Sequence, residues 1–160
     1  MRQVDYVQAF PQAYQPEGEN IFMEIPEGYD MGDKNRDEYC LQLIKNCYGL
    51  KQAAYNWNNL LKSGFLSLGF RQSDHDPCLF CKDDVICVVY VDDTLFFSKD
   101  RSKVNEVISQ LQKLNFELTD EGDVEGFLGI QIDQFPDGTI QMTQPDLINR
   151  AIQSLGLEQQ

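Results

Sequence analysis

Two adjacent aspartates, Asp92 and Asp93, stand inside the most apolar stretch of the chain. Val85-Ile86-Cys87-Val88-Val89-Tyr90-Val91 leads into them and Thr94-Leu95-Phe96-Phe97 leads out. Asp is a poor strand former, and an unpaired carboxylate buried among valines and phenylalanines costs several kcal/mol. The stretch therefore reads as two strands with the Asp pair between them. The pair can be the tip of a hairpin in water, a place that suits Asp. It can also be a site for a divalent cation, for which carboxylate oxygens are natural ligands. The same chain offers a comparison. Asp83-Asp84 follows Lys82 in an ordinary polar turn, whereas Asp92-Asp93 has no polar padding on either side.

Around this hairpin, 160 residues are enough for one domain with its own core. Further strands are expected at residues 3–10, where Asp5 sits, and at 21–26, 39–44, 78–81, 116–118, 127–132 and 139–142. Pro11 and Pro16 point to an irregular connection after the first of them. Pro136-Asp137-Gly138 marks a hairpin between the last two. Trp57, Leu60, Leu61, Gly64, Phe65 and Leu68 recur at the spacing of one helical face, closed by Gly69. Ser102 can cap a second helix with Val104, Val107, Ile108, Leu111 and Leu114 inward. Pro145 opens a third, with Ile148, Ala151, Ile152 and Leu155 inward, ended by Gly156. Hairpin-linked strands mixed with helices give an α+β domain with a mainly antiparallel sheet.

A net charge of −13 argues against autonomous nucleic-acid binding. The charge is uneven, however: residues 41–73 carry Lys45, Lys51, Lys62 and Arg71 and no acidic residue, a weak pointer to a polyanion. The five cysteines lie in apolar surroundings and read as reduced, core-filling thiols. Cys78 and Cys81 could form half of a zinc site or a redox motif. The zinc site lacks a second half, since Cys40 and Cys47 are seven apart and His75 is the single histidine, and the redox motif lacks the small or Pro residues usually found between such cysteines. Asp74-His75-Asp76 beside Pro77 reads as a solvated loop, with a metal or acid–base role as the alternative. The longest apolar run is too short to cross a bilayer, so no membrane partner is expected. Nothing at the N-terminus resembles a secretory signal, which makes an intracellular protein the expectation.

Asp5 gives the Asp pair a further meaning. If its strand lies beside the 85–98 hairpin, three carboxylates converge at one end of the sheet. Such a cluster repels itself unless cations bind. Two cations a few Å apart would organise an in-line phosphoryl displacement.

At this point the residues resemble a family. Tyr90-Val91-Asp92-Asp93 resembles the Y-x-D-D box of reverse transcriptases, and its neighbours resemble the copia-type retrotransposon subgroup. Asp5-Tyr6-Val7-Gln8-Ala9-Phe10 is similar to that group's D-x-x-x-A-F segment. Ile21-Phe22-Met23-Glu24-Ile25-Pro26-Glu27-Gly28-Tyr29 is similar to I-Y-M-x-x-P-x-G-F. Cys47-Tyr48-Gly49-Leu50-Lys51-Gln52-Ala53 followed by Trp57 is similar to L-Y-G-L-K-Q-A-x-x-x-W. Gly69-Phe70 with Asp74, Asp76 and Leu79-Phe80, and then Phe127-Leu128-Gly129-Ile130, complete six motifs in the family's order.

The resemblance implies a polymerase palm, an antiparallel sheet backed by helices. It implies two Mg²⁺ ions, with Mn²⁺ as a possible substitute, held by Asp5, Asp92 and Asp93, and attack of a primer 3′-hydroxyl on a dNTP under an RNA or DNA template. By the same resemblance Phe10 is an aromatic gate against a ribose 2′-hydroxyl, or else a plain core residue. Tyr48, Gly49, Lys51 and Gln52 lie near the incoming nucleotide, and Tyr90 and Val91 near the primer end. Residues 1–157 are then expected to be a partial domain lacking most of the fingers and thumb, and the RNase H region, of a longer polyprotein, with 158–160 a tail. The missing basic parts offer an account of the −13. Pro11 and Gln12 stand where the commonest copia pattern has Leu and Asn. A cytoplasmic element particle is the expected location. The isolated chain is expected to extend a primer weakly or not at all, and a catalytically inactive remnant with the same fold is the alternative.

Overall fold

Val85, Cys87 and Val89 are buried while Ile86 and Tyr90 are exposed, the period of two that a strand with one packed face requires. That alternation builds the centre of the fold. The computed structural model describes residues 1–157; the expected tail at 158–160 lies outside them. The elements run β1 (Arg2–Tyr6), α1 (Ala9–Gln12), β2 (Phe22–Met23), a 3-10 turn (Arg36–Glu38), β3 (Leu41–Gln42), α2 (Ala53–Ser67), β4 (Arg71–Gln72) and β5 (Leu79–Lys82). They continue with β6 (Val85–Tyr90), β7 (Asp93–Phe97), α3 (Arg101–Lys113), β8 (Leu118–Gly122), β9 (Gly126–Phe127), β10 (Ile130–Gln134), β11 (Ile140–Thr143) and α4 (Pro145–Ser154).

Six strands form the main sheet in the order β4-β5-β6-β7-β1-β8, every neighbouring pair antiparallel. Two helices back one face of it. Trp57, Leu61 and Phe65 of α2 and Val104, Ile108 and Leu111 of α3 meet Val4, Tyr6, Cys87 and Phe96 in one apolar core. A second sheet, β11-β10-β9, reaches the opposite face, where Leu95 packs with Val124 and Ile132. The chain is thus α+β with a mostly antiparallel sheet, as its patterning predicts, and the sheet is helix-backed, as the family resemblance implies.

Several local expectations change. The first strand ends at Tyr6, and α1 runs over Pro11. Pro is tolerated there because the amides of a first helical turn have no intrahelical partner. Strands expected at 21–26 and 39–44 shrink to the exposed pair β2–β3. Phe116 is not in a strand; it lies buried in the loop before β8. The segment 127–132 is not one strand. Leu128 (φ 52°) and Gly129 (φ 79°) turn it back on itself between β9 and β10, a two-residue hairpin of consecutive positive-φ residues. The cap of α3 is Asp100, whose carboxylate accepts from the Ser102 N–H at 2.9 Å. Leu60 and Leu114 are exposed at the margins of their helices. No residue of α4 is buried, and Ile148 within it and Leu155 at its C-terminal cap are well exposed. Periodicity marks a face that can be covered, and among the described residues no neighbour buries that of α4. Nor is every thiol core-filling: Cys87 is buried, but Cys40 is exposed.

Gly64, in the last turn of α2, is required by its neighbour. A Cβ there would meet Phe116 Cε2 at 2.5 Å and Cζ at 2.7 Å. The Phe116 ring is itself set edge-on against Tyr6 (centroids 5.8 Å) and Trp57 (6.1 Å), so it has little room to retreat. Gly64→Ala gains about 1 kcal/mol of helix propensity, but overpacking of this kind costs about 1–3 kcal/mol. Net destabilisation, read as a lower urea midpoint with unchanged slope, is the expected result. A raised midpoint would show that the aromatic cluster yields freely.

Candidate active site

The site is assembled by register. Asp5 of β1 pairs directly with Asp93 of β7, and Tyr90 of β6 pairs with Asp93 on its other side. Val91 and Asp92 are left as the two-residue loop between β6 and β7. All three candidate carboxylates therefore share one end of the sheet. Val4 and Tyr6 point into the helix-backed core, so Asp5 between them lies on the opposite face, half-buried with Asp93. Gln3, on that same face, donates from Nε2 to Asp93 Oδ1 at 3.3 Å.

Like charges shape the electrostatics here. Partial burial is the largest reason that the Asp5 carboxyl is held above the usual carboxylate range, and the charges of Asp92, Asp93 and Glu121 add to it. A carboxyl whose pKa is higher folded than unfolded binds protons more readily in the folded state. Its penalty is absent below the unfolded value and complete above the folded one, so stability falls as pH rises through that window. Asp5→Asn removes the penalty. In chelator-treated protein the variant is expected to melt roughly 1–3 °C higher at neutral pH, with the advantage vanishing in acid. An advantage independent of pH would assign the effect to packing instead of charge.

Three carboxylates supply a hard oxygen donor set, the chemistry that suits Mg²⁺ or Mn²⁺, and the strain on Asp5 is of the kind a cation relieves. Yet among the described residues no three His, Cys, Asp or Glu side chains are grouped closely enough to hold a metal ion. The expected convergence is thus one of strand ends, not of a closed ligand cage, because uncompensated carboxylates repel one another. Among the described residues Cys78 and Cys81 belong to no such group either, and burial, and then the nearby Asp76, push the Cys78 thiol up, away from the thiolate that a redox role needs.

The loop is held in an uncommon conformation. Val91 has φ 56°, and a left-handed backbone at a β-branched residue costs on the order of 1–3 kcal/mol. Two hydrogen bonds hold it. Trp57 Nε1 donates to the Val91 carbonyl at 2.6 Å, and the Tyr6 amide donates to the Asp92 carbonyl at 2.9 Å. Tyr90, half exposed beside the pair, leaves its ring on the open face.

The second group of candidate residues collects around α1. The Phe10 and Tyr48 rings lie 4.8 Å apart, Phe10 resting on the main core and Tyr48 largely exposed. Gly49 turns the chain with φ 96°. Lys51 is exposed, and Gln52 precedes α2 without making a side-chain capping bond. This turn is anchored by residues that the motifs did not single out. Buried Asn46 donates from Nδ2 to the carbonyls of Ala13 (3.0 Å) and Tyr14 (3.2 Å), and Asn56 donates to Asn46 Oδ1 at 3.1 Å. Gln12 ties α1 to the residue before β8, donating to the carbonyls of Val7 and Glu117 and accepting from the Glu117 amide at 2.9 Å. One signal was legible: Asn56 lies between Ala53 and Trp57 on the buried side of α2, where a polar side chain needs a partner. Asn46 and Gln12 gave none, since their partners are backbone groups distant in sequence.

Comparison with known proteins settles the family. The model for reverse transcriptase (RNA-dependent DNA polymerase) matches residues 1–160. The chain belongs to this family. Its relatives are copia-type Pol polyproteins, as the motifs imply. The retrovirus-related Pol polyprotein from transposon RE1 of Arabidopsis thaliana is 34% identical over 142 residues, 86% of this chain. The corresponding polyprotein from transposon TNT 1-94 of Nicotiana tabacum is 33% identical over 119 residues, 71% of this chain. A transposon Ty5-1 protein of Saccharomyces cerevisiae is 31% identical over 137 residues, 83% of this chain and 44% of its own length. Against RE1 and TNT 1-94 the chain spans 9% of the relative's length. No solved structure gives a significant match. Reverse transcriptases act on nucleic-acid templates and depend on divalent metal, and this domain carries the motifs of one. Among the described residues no helix is long and apolar enough to cross a membrane.

Proposed function

We propose that this reverse transcriptase domain is a polymerase palm that transfers dNTP to a primer 3′-hydroxyl under an RNA or DNA template, with Asp5, Asp92 and Asp93 holding two Mg²⁺ ions. The observation that carries the reading is the Asp5–Asp93 register, with Asp92 in the adjoining loop. Cations bound there would supply activation of the primer hydroxyl and neutralisation of the departing pyrophosphate. The chain's own residues do the positioning. Gln3 steadies the Asp93 carboxylate. Tyr90 and Val91, exposed at the loop, lie where a primer end would rest. Phe10, backed by Tyr48, offers an aromatic edge to the sugar of an incoming nucleotide, with Gly49, Lys51 and Gln52 following Tyr48 in the chain as further nucleotide contacts. Lys45, Lys51, Lys62 and Arg71, in a segment without acidic residues, supply the positive charge that a polyanion needs.

The relatives' length sets the form of the test. Template-directed dNTP incorporation is measured for the chain alone and for the chain joined to the flanking reverse transcriptase segments of RE1, each with Mg²⁺ and with Mn²⁺. The joined form is expected to extend a primer and the isolated chain to do so weakly. No incorporation by either form, together with Mn²⁺ binding unaffected by Asp5→Asn, would leave an inactive domain of the same fold.

A further inference from the structure

Trp57 sits at the first turns of α2, 2% exposed, its ring edge-on to Tyr6 with centroids 5.1 Å apart. An indole N–H can only donate, and this one donates at 2.6 Å to the carbonyl of Val91, the residue in the left-handed conformation. The next carbonyl, that of Asp92, accepts from the amide of Tyr6. Two consecutive carbonyls of the loop are thus held, that of Val91 by an indole from the core and that of Asp92 by the backbone amide of β1, and the Val91 side chain is partly exposed to solvent. Without the indole N–H, Val91 has reason to relax to an extended conformation and its inward carbonyl loses its donor. Asp92, the next residue, would move with it.

We infer that Trp57 is a positioning residue for the Asp92 loop: its indole N–H holds Val91 in the left-handed conformation and so sets where the Asp92 carboxylate stands. The consequence for metal binding rests on the reading of Asp92 as a metal-holding residue; the consequence for the loop does not. Core packing alone would explain a buried Trp, but it would not require a nitrogen aimed at the one β-branched residue of the loop.

Trp57 is the single tryptophan of the chain, so replacing tryptophan throughout with 3-benzothienylalanine alters this position alone. The analogue keeps the ring shape and lacks the N–H. Amide hydrogen exchange at Tyr6, whose N–H reports on the Asp92 carbonyl, is expected to quicken about tenfold. Amides of β5 and the β5-facing side of β6 should keep their rates. Val91→Gly removes the penalty, since glycine adopts this conformation freely, and in that background the analogue should change Tyr6 exchange by less than about threefold. Leu61→Ala, which opens a cavity in the same core, should quicken exchange across the sheet without singling out Tyr6. Mn²⁺ affinity, read by electron paramagnetic resonance of the free ion, should weaken about fivefold with the analogue and recover with Val91→Gly. Unchanged Tyr6 exchange in the analogue-bearing protein, or an equal change in both backgrounds, would overturn the role of Trp57. Mn²⁺ affinity indifferent to Asp92→Asn, alongside the expected exchange pattern, would overturn the metal reading and leave Trp57 as the determinant of the loop.

Discussion

Asp92→Asn is expected to lower primer extension by about 10³-fold or more while leaving the fold intact. The magnitude follows from the task proposed for the carboxylate. A negatively charged oxygen that holds a divalent cation at the reacting phosphate acts where charge develops, and removing one such contact costs several kcal/mol of barrier. The intact fold follows from the structure. What the core holds at position 92 is the backbone carbonyl, bonded to the Tyr6 amide, and an Asn of the same shape keeps it. The measurement pairs two readouts on the joined form: single-nucleotide incorporation rate and thermal midpoint. A rate within tenfold of the parent's would remove Asp92 from the metal-holding set. A midpoint lowered by many degrees would mean that the charge supports the fold, against the repulsion it shares with Asp5.

Phe65→Ala is the second large effect, and it falls on stability. Phe65 is 0% exposed. Its ring stacks on Phe80 at 5.0 Å, meets Phe70 edge-on at 5.2 Å and lies 6.3 Å from Phe96, so one side chain links α2 to β5 and β7. Truncating such a residue costs about 3–5 kcal/mol, because the lost transfer energy is joined by a cavity that rigid aromatic neighbours cannot fill. Domains of this size have about 5–15 kcal/mol in hand. The variant should therefore unfold at far lower urea, and at the lower end of that range it should be largely unfolded at 37 °C. Phe65→Leu, which fills most of the volume, is expected to recover more than half of the loss. A Phe65→Ala midpoint close to the parent's would show that the helices carry little of the sheet's stability.

The central hairpin was legible because its alternation is local. A period of two from Val85 to Tyr90 says which side packs, and an Asp pair in its midst has few places to go. The stripe of α2 was legible for the same reason, and so were the motifs of the family, which are strings of neighbouring residues. The misreadings lie elsewhere. Phe127-Leu128-Gly129-Ile130 looks like one strand by composition, but two consecutive positive φ angles fold it into a turn. The stripe of α4 has the right period and is not buried among the described residues, since a pattern describes one surface and burial needs two.

By itself, then, the sequence determined the α+β class, the hairpin with its carboxylates, the apolar stripe of α2 and the family. Each of these is written in spacings of a few residues, over which period, propensity and motif act. The tertiary structure alone decided that Asp5 lies in register with Asp93, that the carboxylates share an end without closing on one another, and that Trp57 reaches across from α2 to hold Val91. Those are relations between residues 34 and 88 positions apart. They depend on how strands order themselves around a common core, and strand order is set by the packing of the whole domain.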